Sequence, residues 1–258
     1  MLPASSKESV MTSSVKNGPA RDEVQAHRGA SAVAPENTLS AFRAAAQQGA
    51  KWVELDVALL ADGTLVVIHD DSVDRTSSGT GALGALNRAD MDHLDAGSWF
   101  GSTFAGERIA TLEEALKVLG ELGVGANVEI KQHKHHKSLD QLIGAVRAAL
   151  QTRPQGMPIM ISSFDAQALA AMHRLEPGLE MAMLWSKVPA DWQAQLAAIP
   201  ATTIHLDYKA LSIGFLEEAV EGGIKVRAWT VNEPSILASF WPAGLAGVIT
   251  DNPAAFLS

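Results

Sequence analysis

The sequence contains no cysteine, which removes several kinds of chemistry at once. Disulfide bridges, zinc–thiolate sites and a cysteine nucleophile are all excluded. The missing cysteine does not assign the protein to a compartment, because a periplasmic protein can also lack cysteine.

Excess positive charge and long apolar runs are missing as well. Lys and Arg number 20 against 29 Asp and Glu, and the net charge of −9 argues against a nucleic-acid partner, which would need clustered Lys and Arg. No apolar run approaches the roughly 18 residues of a membrane span. Residues 1–22 lack the apolar stretch of a signal peptide and are predicted to be a disordered leader. We therefore expect a cytoplasmic protein; its oligomeric state is not predicted.

Short apolar runs alternate with amphipathic segments along the rest of the chain. This alternation is typical of βα units and a parallel sheet. At 258 residues the favoured α/β fold is a closed (β/α)₈ TIM barrel, here a single domain over residues 23–258. The candidate strands are 24–27, 51–58, 126–131, 158–163, 180–185, 202–208, 225–231 and 247–250.

The helical segments carry recognisable start signals. Thr111 forms a capping box with Glu114, and Ser138 and Asp165 are suitable N-caps. Asn37 is predicted to cap the first helix. The candidate helices are 37–49, 111–122, 138–151, 165–175, 191–198, 212–222 and 234–240.

One segment breaks the alternation between strands and helices. The run 52–60 is followed by an Asp-Gly turn at 61–64 and then by a second apolar run, 65–69. So short a turn joins antiparallel strands and cannot supply the crossover that parallel strands require. If the first and last residues of the turn face one another, the register pairs His69 with Asp56.

Residues 71–110 follow this hairpin and contain six glycines among short polar pieces. A structureless loop of about 40 residues is unusual inside a compact domain. We therefore predict a small cap insertion over the end of the barrel at which TIM-barrel sites lie.

Polar residues close several apolar runs in the first half of the chain. Residues two apart on a strand share a face, so Glu54 lies beside Asp56 and Glu129 beside Lys131. Three carboxylates without any cysteine suit an oxygen-seeking ion such as Mg²⁺ or Ca²⁺. For any one carboxylate, a structural ion pair with Arg28 or Lys131 is an equal alternative.

Two histidines, His27 and His69, lie on either side of the expected ion. Histidine titrates near neutral pH, so a pair can serve as base and acid in one displacement, although either residue alone could be structural. The forked donor of Arg28 matches phosphate oxygens, and Lys131 can supply a second positive charge. The pattern predicts a site for a metal ion and a phosphate.

In their order along the chain, these motifs resemble the glycerophosphodiester phosphodiesterases, in particular the short cytosolic bacterial type. The resemblance spans about residues 24–255. Its motifs are His27-Arg28-Gly29, Ala34-Pro35-Glu36-Asn37-Thr38, Val53-Glu54-Leu55-Asp56-Val57, His69-Asp70, Asp74-Arg75-Thr76, Leu94-Asp95-Ala96-Gly97, Val128-Glu129-Ile130-Lys131, Ser162-Ser163-Phe164, Ala228-Trp229-Thr230-Val231-Asn232 and Ile249-Thr250-Asp251.

The resemblance implies metal-dependent hydrolysis of glycerophosphodiesters to sn-glycerol 3-phosphate and an alcohol. His27 and His69 would be the acid–base pair, and Trp229 would wall the glycerol side of the pocket. The cation, Mg²⁺ or Ca²⁺, would be held by Glu54, Asp56 and Glu129, and the phosphate by Arg28 and Lys131. Direct attack by water and a cyclic phosphate intermediate both stay open. The alternatives are a lyase that releases the cyclic phosphate and a noncatalytic phosphodiester-binding protein.

Other polar features have weaker functional interpretations. The basic, His-rich loop 131–137 could attract an anionic diester, although a solvated loop is the simpler interpretation. His205 and Asp207 could line the barrel mouth or make internal hydrogen bonds. Asp251 is expected to order the loop after the last strand.

Overall fold

Eight parallel strands close into a barrel in this computed structural model, which describes residues 16–131 and 137–257. The barrel closes because β1 pairs with β2 on one side and with β9 on the other, which confirms the predicted TIM barrel. A ninth strand, β3, runs antiparallel to β2. The strands are β1 (Val24–His27), β2 (Trp52–Leu59), β3 (Leu65–Val67), β4 (Gly125–Ile130), β5 (Ile159–Ser163), β6 (Glu180–Trp185), β7 (Thr203–Asp207), β8 (Lys225–Trp229) and β9 (Gly247–Thr250).

The predicted N-caps at Thr111, Ser138 and Asp165 each accept a backbone N–H of their own helix. The prediction of a helix over 234–240 is wrong. A single 3₁₀ turn, Pro234–Leu237, lies there instead, and Pro242 follows it, which disfavours a longer helix. The α-helices are α1 (Leu39–Gln47), α2 (Arg88–Met91), α3 (Leu112–Glu121), α4 (Leu139–Gln151), α5 (Ala166–Leu175), α6 (Trp192–Ala197), α7 (Ile213–Glu221) and α8 (Ala254–Leu257).

The predicted register of the hairpin is wrong by one residue. The N–H of Ile68 donates to the carbonyl of Asp56 at 3.0 Å, so Asp56 lies opposite Ile68 and not opposite His69. The reason is a loop of three residues, 61–63, in which Gly63 has a φ of 88°. A left-handed third residue is typical of three-residue hairpins. His69 therefore lies in the loop after β3.

The two faces of the hairpin contact different apolar clusters. Side chains alternate along a strand, so Val57 and Leu59 belong to the main core while Ala58 and Leu60 belong to a smaller cluster. The insertion 71–110 folds against that second face and contributes Val73, Leu83, Met91, Ala96 and Ile109 to the smaller cluster. The insertion thus shares a small core with the hairpin, and its role as a cap stays a prediction.

Part of the predicted leader has structure. Residues 1–15 lie outside the described residues, while Arg21–Glu23 forms one 3₁₀ turn and Lys16 pairs with Glu23 at 2.8 Å. Among the residues that the structure describes, no helix combines the length and the apolar character needed to cross a bilayer.

Candidate active site

The eight predicted site residues meet at the C-terminal ends of the barrel strands. A cavity of about 230 Å³ is lined by His27, Arg28, Glu54, His69, Glu129, Lys131 and Trp229. Asp56 lies behind this lining, where it is paired with Arg28 and Lys131. The C-terminal face is the usual place for sites in this fold, because the loops that follow the strands all meet there.

Three buried carboxylates form the densest charge in the site. Ligand oxygens of Glu54, Asp56 and Glu129 lie within 4.8 Å of one another. Burial, followed by repulsion from Asp56, raises the pKa of Glu129 to about 8 and holds that of Glu54 well above its usual range. Burial opposes ionisation of Asp56 too, but Arg28 and Lys131 keep its pKa at about 2. Without a further cation, the trio is therefore far from fully ionised near neutral pH.

The donor set fits a hard divalent cation. Oε1 of Glu54 and Oε1 of Glu129 are buried and have no hydrogen-bond partner within the described ranges 16–131 and 137–257. Leaving such atoms unpaired is costly. Carboxylate oxygens at this density are the ligands that Mg²⁺ and Ca²⁺ prefer, and a bound cation would reverse the pKa increase of both glutamates.

Two residues with left-handed backbone shape the loop after β1. Arg28 has a φ of 55° and Asn37 a φ of 57°, conformations that cost energy without glycine. The turn at Arg28 directs its N–H to Glu54 Oε2, at 3.1 Å. Asn37 donates its side-chain amide to Asp56 Oδ2 at 2.9 Å. The prediction that Asn37 caps the first helix is therefore wrong, and Thr38 is the N-cap.

Each of the two histidines is held through Nδ1 by a carboxylate. The distance from His27 Nδ1 to Asp251 Oδ1 is 2.6 Å, and that from His69 Nδ1 to Asp70 Oδ1 is also 2.6 Å. A carboxylate accepts the Nδ1 proton, which leaves Nε2 to exchange protons with a ligand. Burial lowers the pKa of His69 and favours its neutral form.

Both predicted phosphate-binding cations are anchored by carboxylates. Nη1 of Arg28 donates to Glu36 Oε1 at 2.7 Å, and its Nε lies 3.2 Å from Asp56 Oδ2. Nζ of Lys131 lies 3.3 Å from Asp56 Oδ1 and 3.8 Å from Glu129 Oε1. These contacts fix both positive charges at the edge of the cavity.

An aromatic wall closes one side of the cavity. Trp229, at the end of β8, packs edge-to-face on Phe164 with 5.8 Å between ring centroids. A larger cavity of about 800 Å³ adjoins the first and shares Phe164 and Lys131 with it; Trp185 lines it. Trp99 lies in the insertion, where it packs on its neighbour Phe100.

The structure also places the residues whose role the sequence left open. His205 is fully buried and lines the cavity, and neither of its ring nitrogens has a hydrogen-bond partner in the described part of the chain. Asp207 accepts the N–H of Lys209 and begins a 3₁₀ turn. Residues 132–136 of the His-rich loop lie outside the described residues.

The sequence patterns did not identify Asp251 and Asp70 as the carboxylates that orient the histidines. Asp251 does order its loop, since Asn232 donates to it at 2.8 Å, but its other oxygen binds His27. The dipeptide His69-Asp70 carried a signal, because a carboxylate is a common partner of a functional histidine. No comparable signal relates His27 to Asp251, which lies 224 residues away.

A carboxylate trio, two anchored histidines and two fixed cations at the mouth of a TIM barrel define a class: enzymes that act on phosphate esters. Similarity to known proteins agrees with this class. The model of the glycerophosphoryl diester phosphodiesterase family matches residues 27–255, so the chain belongs to this family and is a phosphoric diester hydrolase.

Individual relatives match over nearly the whole chain. A glycerophosphodiester phosphodiesterase of Caldanaerobacter subterraneus is 36% identical, covering 89% of this chain and 94% of the relative. One from Bacillus subtilis is 31% identical over 90% of this chain and 84% of the relative. The structure of an Oleispira antarctica phosphodiesterase in complex with the product sn-glycerol-3-phosphate superimposes with a TM-score of 0.87 at 36% identity, covering 91% of this chain and 94% of that one.

Proposed function

We propose that the protein hydrolyses glycerophosphodiesters to sn-glycerol 3-phosphate and an alcohol, with the help of a divalent cation. One observation carries the proposal: two histidines anchored through Nδ1 line the same cavity as the carboxylate cluster. The similarity to a phosphodiesterase solved with sn-glycerol-3-phosphate supports this substrate class. Such a reaction would belong to glycerol and lipid metabolism.

The cation would be held by Glu54, Asp56 and Glu129, whose ligand oxygens lie within 4.8 Å of one another. When bound, Mg²⁺ or Ca²⁺ supplies positive charge that neutralises the phosphate oxygens. Arg28 and Lys131 add two cations that bind and orient the diester. Arg28, Lys131 and the two histidines line the same cavity, which supports binding of the phosphate next to the acid–base pair.

His27 and His69 perform the proton transfers. When water attacks directly, one imidazole, neutral at Nε2, accepts a proton from it, and the other, protonated at Nε2, donates to the departing alcohol. When a glycerol hydroxyl attacks first, the same transfers give a cyclic phosphate and the free alcohol, and water then opens the cyclic phosphate with the two histidine roles reversed. Asp251 and Asp70 hold each ring at Nδ1 and stabilise its charged form. Trp229 supplies an apolar wall for the carbon chain of the glycerol.

The test is release of glycerol 3-phosphate from glycerophosphocholine, with EDTA and then with Mg²⁺ or Ca²⁺ restored. We expect EDTA to abolish the release and one of the two ions to restore it. Equal activity with chelator would overturn the cation assignment. A cyclic phosphate that persists in phosphorus NMR would show a lyase instead of a hydrolase, and inactivity toward several such diesters would remove the substrate class.

The histidine roles have their own test. His27→Ala and His69→Ala should each lower kcat by about a hundredfold to ten-thousandfold, with little change in melting temperature. His93→Ala is the matched control, since His93 is an exposed histidine of the insertion. Melting far below wild type in either site variant would show a structural role.

A further inference from the structure

An arginine of the insertion binds two carboxylates of the site loops at once. Arg75 donates from Nε to Asp70 Oδ2 at 2.6 Å and from Nη2 to Asp70 Oδ1 at 3.0 Å. On its other side, Nη1 reaches Glu36 Oε2 at 2.7 Å and Nη2 reaches Glu36 Oε1 at 2.8 Å. One planar guanidinium therefore fixes the position of both carboxylates.

Each of these carboxylates has a second partner in the proposed machinery. Asp70 Oδ1 contacts Nδ1 of His69, and Glu36 Oε1 accepts from Nη1 of Arg28, at 2.6 and 2.7 Å. Arg75 itself is absent from the described residues that line the cavity. Any effect on the reaction must therefore pass through Asp70 and Glu36.

We propose that Arg75 is a positioning residue that sets the orientation of His69 through Asp70 and of Arg28 through Glu36. The insertion thereby contributes to the reaction without touching the substrate. This inference rests on the proposed roles of His69 in proton transfer and of Arg28 in phosphate binding.

The melting temperature separates a positioning role from stabilisation of the fold. The side chain of Arg75 is 46% exposed, and single exposed ion pairs are typically worth about 0–1 kcal/mol. Their geometric effect is larger, because a displacement of about 1 Å in a reacting group can cost about a hundredfold in rate. A lysine at position 75 keeps the charge but cannot bind two carboxylates in parallel.

The first experiment compares Arg75→Ala and Arg75→Lys with Arg88→Ala. Arg88 is the matched control: it is also an arginine of the insertion, and it pairs with Asp92 and Glu114 away from the cavity. We expect both Arg75 variants to lose roughly 10- to 100-fold in kcat/KM, with a melting temperature within about 3 °C of wild type. Arg88→Ala should keep wild-type kinetics.

The second experiment separates the effect of Arg75 on His69 through Asp70 from its effect on Arg28 through Glu36. Asp70→Asn should lower kcat and leave the affinity for sn-glycerol 3-phosphate, measured by calorimetry, near wild type. Glu36→Gln should weaken that affinity more than it lowers kcat. Arg75→Ala should show both the lower kcat and the weaker affinity. A general loosening of the fold would instead give both effects in all three variants.

The third experiment is chemical rescue. Because nearly half of the Arg75 side chain is open to solvent, added guanidinium can occupy the space left in Arg75→Ala and should restore part of the lost rate. The Arg88→Ala variant should not respond. Full activity of Arg75→Ala, or a loss that follows its melting temperature and resists rescue, would overturn the proposal.

A failure of the proposed substrate class can be distinguished from a failure of the role proposed for Arg75. If the wild-type protein fails on glycerophosphocholine, the same variants are compared on bis(p-nitrophenyl) phosphate. A rescued loss on that substrate supports the role of Arg75 while the glycerophosphodiester assignment fails. If the wild-type protein is active on glycerophosphocholine and Arg75→Ala is unaffected, the substrate class stands and the role of Arg75 fails.

Discussion

Removal of the proposed cation should destabilise the protein increasingly as the pH rises. Burial and Asp56 raise the pKa of Glu129 in the folded protein to about 8, from an ordinary value of 4.5. A carboxyl group whose pKa is higher in the folded state favours folding below its unfolded pKa, and this contribution is lost as the pH rises from about 4.5 to about 8. The metal-free fold therefore weakens over this window.

The size of the effect follows from proton linkage. One proton costs about 1.4 kcal/mol for each pH unit inside the window. For a domain of this length, 1 kcal/mol corresponds to roughly 2–4 °C in melting temperature. Glu129 alone thus lowers the metal-free melting temperature by roughly 3–6 °C per pH unit, and Glu54, whose pKa is also raised, adds to the decrease.

The cation-bound protein should escape this penalty, because a saturating cation favours the ionised carboxylates over the pH range in which the metal-free protein loses stability. Calorimetric scans between about pH 5 and pH 8, with EDTA or with saturating Mg²⁺ or Ca²⁺, measure the gap between the two melting temperatures. We expect the gap to widen with pH, and to flatten in Glu129→Gln, whose amide mimics the protonated acid. A gap that stays constant or narrows with pH would show that the raised pKa of Glu129 does not control the stability of the metal-free protein.

Three further substitutions test other contacts. Asp251→Asn replaces the carboxylate that holds His27 at Nδ1 with a neutral amide, which no longer stabilises the charged imidazole, and should lower kcat by about 100-fold with little change in KM; a purely structural residue would change the melting temperature instead. Gly29→Ala should lower the melting temperature by roughly 6 °C or more, since Gly29 has a φ of 87° and its Cβ would lie 2.6 Å from Ala41; unchanged melting would contradict the close approach. Trp229→Ala should raise KM roughly tenfold and change kcat less, because it removes an apolar wall; an unchanged KM would separate the indole from the substrate.

Local patterns predicted the barrel and much of the site. The period of two along a strand places Glu54 and Asp56 on one face, and the strand of Glu129 pairs with theirs in the structure, with Asp56 opposite Glu129. These features depend on neighbours in sequence and on the regular geometry of parallel sheets. Single-residue patterns were therefore enough to find the carboxylate trio.

The supporting contacts depend on pairs that are distant in the chain. His27 and Asp251 are 224 residues apart, and Arg75 and Glu36 are 39 residues apart. No periodicity relates such positions, since the closure of the barrel and the path of the insertion bring them together. The hairpin register failed for a different reason: Asp-Gly suits two-residue turns, yet here Gly63 closes a three-residue turn.

Asn37 has the side chain of a typical helix N-cap, yet in the structure it binds a carboxylate of the site. An N-cap residue contributes about 1 kcal/mol, and a neighbouring threonine performs this function nearly as well as asparagine. Hydrogen bonds to charged groups are worth about 1.5–3 kcal/mol, and Asp56 is almost fully buried. Because Thr38 caps the helix, the side chain of Asn37 can bind Asp56, and this contact stabilises the fold more than a helix cap would. This holds even though the backbone of Asn37 is in the left-handed region. Asn37→Ala should therefore leave α1 intact and instead weaken the binding of the cation.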